Sequence, residues 1–435
     1  MKKYLTLLYI IISSLSFVYA QKTYFPPLNS NAFWDTISPN SLGWCVDEIE
    51  PLYSFLSREN TKGFIVLKDG KIVLEKYFGT FTKDSIWYWA SAGKTITSFL
   101  VGKAQEENFL SIDDPSSKFQ GIGWTDCSQE QEAKIKIRNQ LTMTSGLNDG
   151  IPDNHCLADT CLRCLSDAGT RWAYHNAPYT LLEKVLVNAT KQNINTYTQS
   201  RLLTKTGMTG LWYTIDFDNV FFSKVRSMAR FGLLIQNKCI WNNDTLLYDS
   251  AYLNQMVNTS QNINLSYGYL WWLNGKASYM VPTLQTKFKG SYAPNAPSDM
   301  YAGIGKNGQL VCISPSLGIV LIRMGNTPST LGEVPTIFCN QIWQKLNAVM
   351  CNTTHTKNEN LNNSISIFPN PAHTEINILN QVDHKNEIDI FDLLGNFKLK
   401  ILNQNKIDVS SLASGTYLIK IKTPQQTITQ KWIKI

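Results

Sequence analysis

The spacing of apolar residues divides the chain into three successive blocks. Residues 63–79 predict a β-hairpin that turns at Asp69-Gly70, because β-branched and aromatic residues flank that turn. Apolar residues then recur at helical spacing in four segments: 94–108, 129–144, 177–205 and 222–236. Strand-like patterns return at 267–274, 285–292, 309–314 and 317–323, and a closing helix is predicted over 332–349. This order predicts an α+β domain whose sheet is built from both ends of the chain, around a mostly helical insert.

The composition and the apolar spacing of the sequence change after Met350. Residues 351–363 are rich in Asn, Thr and Lys and have no apolar period, which is typical of a linker. From residue 364 to 435 the apolar period becomes two, with turn signals between the alternating segments. This pattern predicts a small C-terminal β-sandwich.

Composition and charge restrict the classes of function. A chain of 435 residues with 43% hydrophobic residues can bury a sizeable core. The net charge of +7 is modest and the basic residues are scattered, so no nucleic-acid partner is expected. Residues 1–20 combine Lys2-Lys3, an apolar stretch and a small-residue end at Ala20, which predicts a signal peptide. No later run approaches the roughly 18 apolar residues of a membrane span, so residues 21–350 are expected to form an exported, soluble domain.

Nine cysteines are present in this exported chain, where thiols can oxidise. Cys156, Cys161 and Cys164 cluster beside His155, but their spacing does not match a common zinc site. Disulfides are therefore expected and a metal is not. Cys339 and Cys351 flank the closing helix and are a candidate pair, and the odd total leaves at least one thiol free or paired between molecules.

Residues 91–94, Ser-Ala-Gly-Lys, are the first candidate for chemistry. They follow a strand-like stretch and open a helical run, so Ser91 and Lys94 are expected to share one helix face. Burial and the positive end of the helix both disfavour a charged lysine. A neutral Lys94 could take the proton of the Ser91 hydroxyl, and the resulting alkoxide is the nucleophile of acyl transfer.

The C-terminal segment resembles the sorting domain of cargo of the type IX secretion system. The resemblance rests on residues 367–372 (Ile-Phe-Pro-Asn-Pro-Ala), 390–395, 412–417 and the ending 431–435 (Lys-Trp-Ile-Lys-Ile). It implies export through the periplasm and across the outer membrane, to the medium or the cell surface. A passive carbohydrate-binding or adhesive module is the alternative for this segment.

Residues 50–350 resemble the serine β-lactamase and penicillin-binding-protein superfamily, particularly class C β-lactamases and their esterase and 6-aminohexanoate-dimer hydrolase relatives. Besides residues 91–94, the segments that carry the resemblance are 110–115, 141–147 and 169–179, the last holding a Tyr-x-Asn triplet. The resemblance implies a β-lactamase/transpeptidase-like antiparallel sheet flanked by helices. It also implies that Ser91 is the nucleophile and Lys94 its base.

The Tyr-x-Asn triplet supplies two further candidates. Tyr174 is expected to carry a proton to the leaving group, and Asn176 to bind substrate or fix Lys94. A second triplet at Tyr252 lacks the flanking residues of the first. Neither His175, between the two candidates, nor His155 is expected to be catalytic.

The third family motif is harder to place. A literal Lys-Thr-Gly at 205–207 lies too early in the chain and at a helix end, so we interpret it as coincidental. Residues 303–308, Gly-Ile-Gly-Lys-Asn-Gly, are expected to fill that place, with a backbone N–H of Gly305 or Lys306 joining that of Ser91 in an oxyanion hole.

These residues predict a secreted serine hydrolase that cleaves a small ester, amide or peptide through an acyl-enzyme, with no cofactor. The loss of the Lys-Thr-Gly side chains favours neutral esters or amides. A β-lactamase or D-Ala-D-Ala carboxypeptidase is one alternative. A non-catalytic surface-binding protein on the same scaffold is the other.

Overall fold

The computed structural model describes residues 23–29, 32–329, 334–351, 366–379, 387–392, 396–422 and 427–435. The predicted signal peptide at 1–20 and nearly all of the predicted linker at 351–363 lie outside the described residues. Contacts within the chain define two compact units that divide between Thr353 and Thr354. No helix of the described residues is long and apolar enough to cross a membrane.

The first unit alternates strands and helices in the predicted order. Its strands are β1 (Thr61–Lys68), β2 (Lys71–Tyr77), β3 (Ile86–Tyr88), β4 (Gly210–Ile215), β5 (Asp218–Lys224), β6 (Ile240–Trp241), β7 (Asp244–Thr245), β8 (Trp272–Leu273), β9 (Ser278–Tyr279), β10 (Phe288–Lys289), β11 (Tyr301–Gly305), β12 (Gln309–Ser314) and β13 (Ile319–Gly325). Its helices are α1 (Ile49–Arg58), α2 (Lys94–Glu106), α3 (Ser117–Gln120), α4 (Gln129–Ala133), α5 (Ile137–Leu141), α6 (Asn176–Thr180), α7 (Leu182–Thr190), α8 (Ile194–Thr198), α9 (Thr204–Thr206), α10 (Val225–Gln236), α11 (Ser250–Met256) and α12 (Thr336–Val349).

The main sheet is antiparallel and has the order β2-β1-β13-β12-β11-β8, so strands from both ends of the unit meet at its centre. Every residue of β12 and β13 is buried, because helices cover both faces. Val320 faces α10, where a side chain on Gly232 would overlap it. Arg323, three residues on and therefore on the other face, lies 5.0 Å from the Phe338 ring of α12. This layered arrangement confirms the predicted α+β class.

Several predicted elements differ from the structure. The segments 129–144 and 177–205 each break into shorter helices, the second where Lys191 adopts a left-handed conformation (φ 57°). The helix predicted over 222–236 begins only at Val225, because the preceding residues pair as β5 with β3 and β4. Of the strand predicted over 267–274 only β8 forms, since Leu270 has a φ of 62° that interrupts extended backbone.

The strand predicted over 285–292 is likewise reduced to β10, which pairs with β9 outside the main sheet. Gly290, with a φ of 83°, ends the extended segment.

The second unit contains β14 (Ser366–Phe368), β15 (Glu375–Leu379), β16 (Glu387–Asp392), β17 (Phe397–Leu402), β18 (Lys406–Asp408), β19 (Gly415–Lys422) and β20 (Thr427–Lys434). They form two sheets, β14-β15-β18 and β17-β16-β19-β20. Ile376 from the first sheet and Ile390, Ile419 and Trp432 from the second share one buried cluster. These residues belong to the alternating apolar set, so the predicted β-sandwich is confirmed.

Three disulfides join Cys45 to Cys351, Cys127 to Cys164 and Cys156 to Cys161. The candidate pairing of Cys339 with Cys351 is wrong, because Cys351 is bonded to Cys45 in the N-terminal segment of the unit. Cys339 instead has its Sγ 3.7 Å from that of Cys312, and both are unpaired and buried. Cys156, Cys161 and Cys164 beside His155 are all in disulfides, as expected.

We predict that the Cys45–Cys351 bridge contributes the largest share of the disulfide stabilisation, because it closes a loop of 306 residues. On chain-entropy grounds the double variant Cys45→Ser/Cys351→Ser should lose about 6 kcal/mol of unfolding free energy. The matched double variant Cys156→Ser/Cys161→Ser removes a bridge between cysteines only 5 positions apart. It should lose about 2 kcal/mol of unfolding free energy. Denaturant unfolding of the full chain measures both, and equal losses would contradict the prediction.

Candidate active site

The candidate nucleophile lies where an irregular turn passes into a helix. The backbone leaves β3, turns through a single 3-10 turn at Ala90–Gly93 and enters α2 at Lys94. Ala90 has a φ of 46°, an uncommon conformation for a residue with a side chain. Strain of this kind persists where the surroundings enforce it, and here it places Ser91 at the N-terminal end of a helix.

Ser91 and Lys94 meet on this turn as their spacing predicts. The Lys94 Nζ donates to the Ser91 Oγ over 3.0 Å. Lys94 is only 4% exposed, so its amine lies inside the molecule, whereas Ser91 is half-buried. The arrangement leaves the hydroxyl as the accessible member of the pair.

Two elements of the helical insert complete the surroundings of Lys94. The Asn176 Oδ1, at the start of α6, accepts a hydrogen bond from Lys94 Nζ at 2.9 Å. The same Nζ lies 5.3 Å from the centre of the Tyr174 ring and 4.0 Å from that of Tyr179. The structure therefore brings Ser91, Lys94, Tyr174 and Asn176 together. The Tyr179 ring also contacts this amine, although the sequence did not identify Tyr179 as a candidate site residue.

Tyr174 is held by a group of aromatic rings. Its ring stacks on Trp272 at 5.8 Å and meets Tyr267 edge-on at 6.3 Å. Trp172 contacts both Tyr174 and Tyr267. Offset and edge-to-face contacts of this kind fix ring orientation, so the phenol of Tyr174 has little freedom beside Lys94.

The glycine-rich segment lies against the Ser91 turn. Residues Tyr301 and Ala302 of β11 pair with β8, and the strand then continues beside the turn. A side chain on Gly305 would come within 3.1 Å of the Ser91 backbone nitrogen, and one on Gly303 would overlap Thr95. Only glycine allows this close approach of two backbones. Gly305 therefore lies beside Ser91, and Lys306 follows with its side chain exposed.

A buried arginine holds the turn that follows Gly305. Arg323 donates to the carbonyl oxygens of Asn307 and Gly308, at 2.5 and 3.1 Å, and to those of Glu59 and Asn326. Burial lowers the pKa of Arg323 to about 9. These contacts fix the backbone around Lys306, because five guanidinium donors can satisfy several carbonyls at once.

His155, which was not expected to be catalytic, lies against Asn176. The Nδ2 of Asn176 is 3.2 Å from His155 Nε2 and 3.2 Å from Asn154 Oδ1. The other ring nitrogen, Nδ1, lies 2.7 Å from Asp218 Oδ2. The hydrogen bond with Asp218 raises the pKa of His155, and burial opposes this only in part. The residues are far apart in sequence, so no local pattern could have linked them.

His175 has a different environment. It is 2% exposed, and burial lowers its pKa to about 4. Neither of its ring nitrogens has a hydrogen-bond partner among the described residues. Its side chain is thus a neutral group of the core at pH 7.

The literal Lys-Thr-Gly segment occupies another part of the unit. Lys205 pairs with Asp244 at 3.2 Å, and Gly207 ends α9 with a φ of 69° against the backbone of Leu28. Within the described parts of the chain, no group of three His, Cys, Asp or Glu side chains could hold a metal ion.

Comparison with known proteins agrees with this geometry. Residues 61–337 match the beta-lactamase family model, and residues 366–435 match that of the secretion system C-terminal sorting domain. An uncharacterised protein of Alkalihalophilus pseudofirmus is 22% identical over an alignment of 299 positions that covers 60% of this chain and 82% of that protein.

Three solved structures share the fold. A protein from Bacillus anthracis, provisionally described as a 6-aminohexanoate-dimer hydrolase, has a TM-score of 0.56 at 16% identity, covering 75% of this chain and 92% of its own. One from Bacteroides dorei, provisionally described as a beta-lactamase, has a TM-score of 0.55 at 17% identity, covering 71% and 99%. A penicillin-binding-protein homologue from Caulobacter crescentus has a TM-score of 0.53 at 12% identity, with the same coverage.

The family match spans more than half of the chain and includes the turn that joins Ser91 to Lys94. This chain belongs to the beta-lactamase family, with a secretion system C-terminal sorting domain at 366–435.

Proposed function

We propose that the first unit is a serine hydrolase that cleaves ester or amide bonds through an acyl-enzyme on Ser91. The observation that carries the proposal is the pair of contacts at Lys94 Nζ, 3.0 Å to Ser91 Oγ and 2.9 Å to Asn176 Oδ1. A positioned amine beside a half-exposed hydroxyl is the arrangement that nucleophilic catalysis needs.

In the proposed acylation step, Ser91 Oγ attacks the substrate carbonyl while its proton passes to the neutral amine of Lys94. Tyr174 then delivers a proton to the leaving group, and in deacylation it helps to activate water. The carbonyl oxygen becomes an oxyanion that the backbone N–H of Ser91 and that of Lys306 or Gly305 stabilise. The approach of Gly305 to the Ser91 nitrogen supports this placement of the oxyanion hole.

A neutral ester or amide is the substrate class that we favour over a β-lactam or D-Ala-D-Ala peptide. In the β-lactamases and penicillin-binding proteins that this chain resembles, a Lys-Thr-Gly segment helps to hold the substrate carboxylate. Here the corresponding strand end carries glycine at positions 303 and 305, and neither has room for a side chain. Lys306 projects from the turn beyond the strand, so the strand itself offers no cationic group.

We further propose that the hydrolase acts outside the cell after passing through the periplasm. The sorting domain indicates a secreted or cell-surface protein. Its partner would be the type IX secretion machinery, which reads residues 366–435.

We predict that Ser91→Ala abolishes turnover of a chromogenic short-chain ester and labelling by a fluorophosphonate, since both reactions need the hydroxyl. Its melting temperature should stay close to that of the wild type, because the side chain is small and half-buried. Wild-type activity in this variant would overturn the nucleophile assignment.

Ester turnover and penicillin acylation, both measured on the wild-type protein, distinguish the alternative functions. Ester turnover with labelled Ser91 supports the proposal, whereas efficient acylation by a fluorescent penicillin without ester turnover would favour a β-lactamase or carboxypeptidase. Folded protein that neither probe labels would indicate a non-catalytic binding protein.

We predict that Tyr174→Phe lowers kcat by about 100-fold or more, because positioned proton transfer contributes about 10²–10⁴ to the rate. The matched control is Tyr252→Phe, which removes the phenol of the other Tyr-x-Asn triplet. That phenol donates to the Ser98 carbonyl oxygen at 2.7 Å, so its loss should reduce stability and leave kcat nearly unchanged. A near-normal rate for Tyr174→Phe would reject its role as a proton carrier.

A further inference from the structure

A histidine–aspartate pair lies directly behind the amide that contacts Lys94. The chain of contacts runs from Asp218 through His155 and Asn176 to Lys94, with successive separations of 2.7, 3.2 and 2.9 Å. Asp218 begins β5, the strand that also pairs with β3 leading to Ser91. One end of this series of contacts is therefore the amine that contacts Ser91 Oγ, and the other lies on a strand that pairs with β3 before the Ser91 turn.

The positions of the protons along this series of hydrogen bonds follow from which atoms donate. Lys94 Nζ donates to the oxygen of the Asn176 amide, so the NH₂ group of that amide must face His155. An NH₂ group can only donate, and His155 Nε2 must accept and carry no proton. The ring proton then lies on Nδ1 and is donated to the Asp218 carboxylate, which selects this tautomer.

We propose that His155 and Asp218 are positioning residues that hold the Asn176 oxygen towards Lys94, and that protonation of His155 undoes this arrangement and lowers turnover. This inference rests on the proposed function. A protonated His155 presents N–H at both ring nitrogens, so Nε2–H would oppose the Asn176 NH₂ group. The conflict is relieved when the amide rotates, which turns its NH₂ group towards Lys94 and removes the acceptor.

The local backbone supports a fixed ring position. The His155 N–H donates to Asp153 Oδ1 at 3.0 Å, and the Cys156–Cys161 disulfide follows directly. The Ala177 N–H, next to Asn176, donates to the Asn154 carbonyl oxygen at 3.0 Å. The histidine loop and the start of α6 are thus joined through both backbone and side chains.

The ring can exchange protons with solvent. His155 lines a cavity of about 490 Å³ together with residues 148–154, Arg171 and Thr283, and its side chain is 39% exposed. The cavity also holds the ion pair of Arg171 with Asp149, at 2.6 Å. Protonation therefore needs no opening of the core.

The charges around His155 set the direction of its pH dependence. Asp218 and Asp153 raise the pKa of His155, while burial and the nearby Lys94 lower it, and the balance lies above the usual 6.5. His175 is neutral at these pH values. Turnover should consequently rise as the pH increases through the raised pKa of His155 and fall below it.

The test compares pH–kcat profiles of the full chain, using the ester that the wild type hydrolyses. His155→Gln offers a neutral amide oxygen near the Nε2 position, so it should keep high-pH kcat within about threefold and lose the low-pH decline due to His155. His155→Phe offers no acceptor and should lower the high-pH kcat about tenfold, with KM changed little and without the low-pH decline due to His155. If His155→Phe matches the wild type, or His155→Gln retains the same low-pH decline, the proposal is wrong.

Asp218→Asn tests the second member of the pair. It removes the carboxylate that raises the His155 pKa, so the low-pH decline should shift to lower pH by about half a unit or more. The matched control is Asp244→Asn, which makes the same charge change at an exposed site paired with Lys205 and should not move the profile. Equal shifts in both variants would overturn the proposal.

A measurement without turnover separates this proposal from the proposed function. Proton–nitrogen correlation spectra of labelled protein should show a His155 ring protonated on Nδ1 at high pH. The Asn176 side-chain signals should titrate together with that ring. A ring protonated on Nε2, or Asn176 signals that ignore the titration, would overturn the positioning role even if Ser91 proves catalytic. The expected spectra in a protein that hydrolyses neither esters nor amides would overturn the proposed hydrolase function alone.

Discussion

The site depends on one constraint, which is that the amine of Lys94 is buried and must be satisfied there. The described partners of its nitrogen are the Ser91 hydroxyl and the Asn176 oxygen, with ring faces of Tyr174 and Tyr179 around it. A buried polar group is costly unless it is hydrogen-bonded, so the geometry of Ser91 and Asn176 follows from the need to accommodate this amine. The helical insert, which supplies Asn176, is therefore held against the turn that carries Ser91 and Lys94.

The second requirement is the close approach of two backbones. The Ser91 turn and the end of β11 come together only because residues 303 and 305 are glycine. Arg323 holds the following turn through main-chain carbonyls, from the centre of the sheet. The site therefore combines a polar centre on helices with a backbone surface on the sheet, and it leaves the strand without charged side chains.

Much of this arrangement was predictable where the signal is local. The pairing of Ser91 with Lys94 follows from helical spacing, and the β1–β2 hairpin from its turn residues. Tyr174 and Asn176 could be named from the motif that resembles the family. The strand predicted over 267–274 was too long, because Leu270 has left-handed backbone and only β8 forms. The helix predicted from 222 began too early, because residues 218–224 pair with two other strands. The Leu270 backbone and the pairing of β5 with β3 depend on neighbours that are distant in sequence, whereas β4 and β5 form a local hairpin.

The sequence by itself determined the α+β order, the C-terminal sandwich and the candidate nucleophile with its amine, because periodicity and short motifs act over a few residues. Only the tertiary structure decided that Cys45 pairs with Cys351, that the Tyr179 ring lies against the Lys94 amine and that His155 joins Asp218 to Asn176. The physical reason is common to all three. Each contact joins segments that lie far apart in the chain, and they meet only when the sheet and the helical insert have packed.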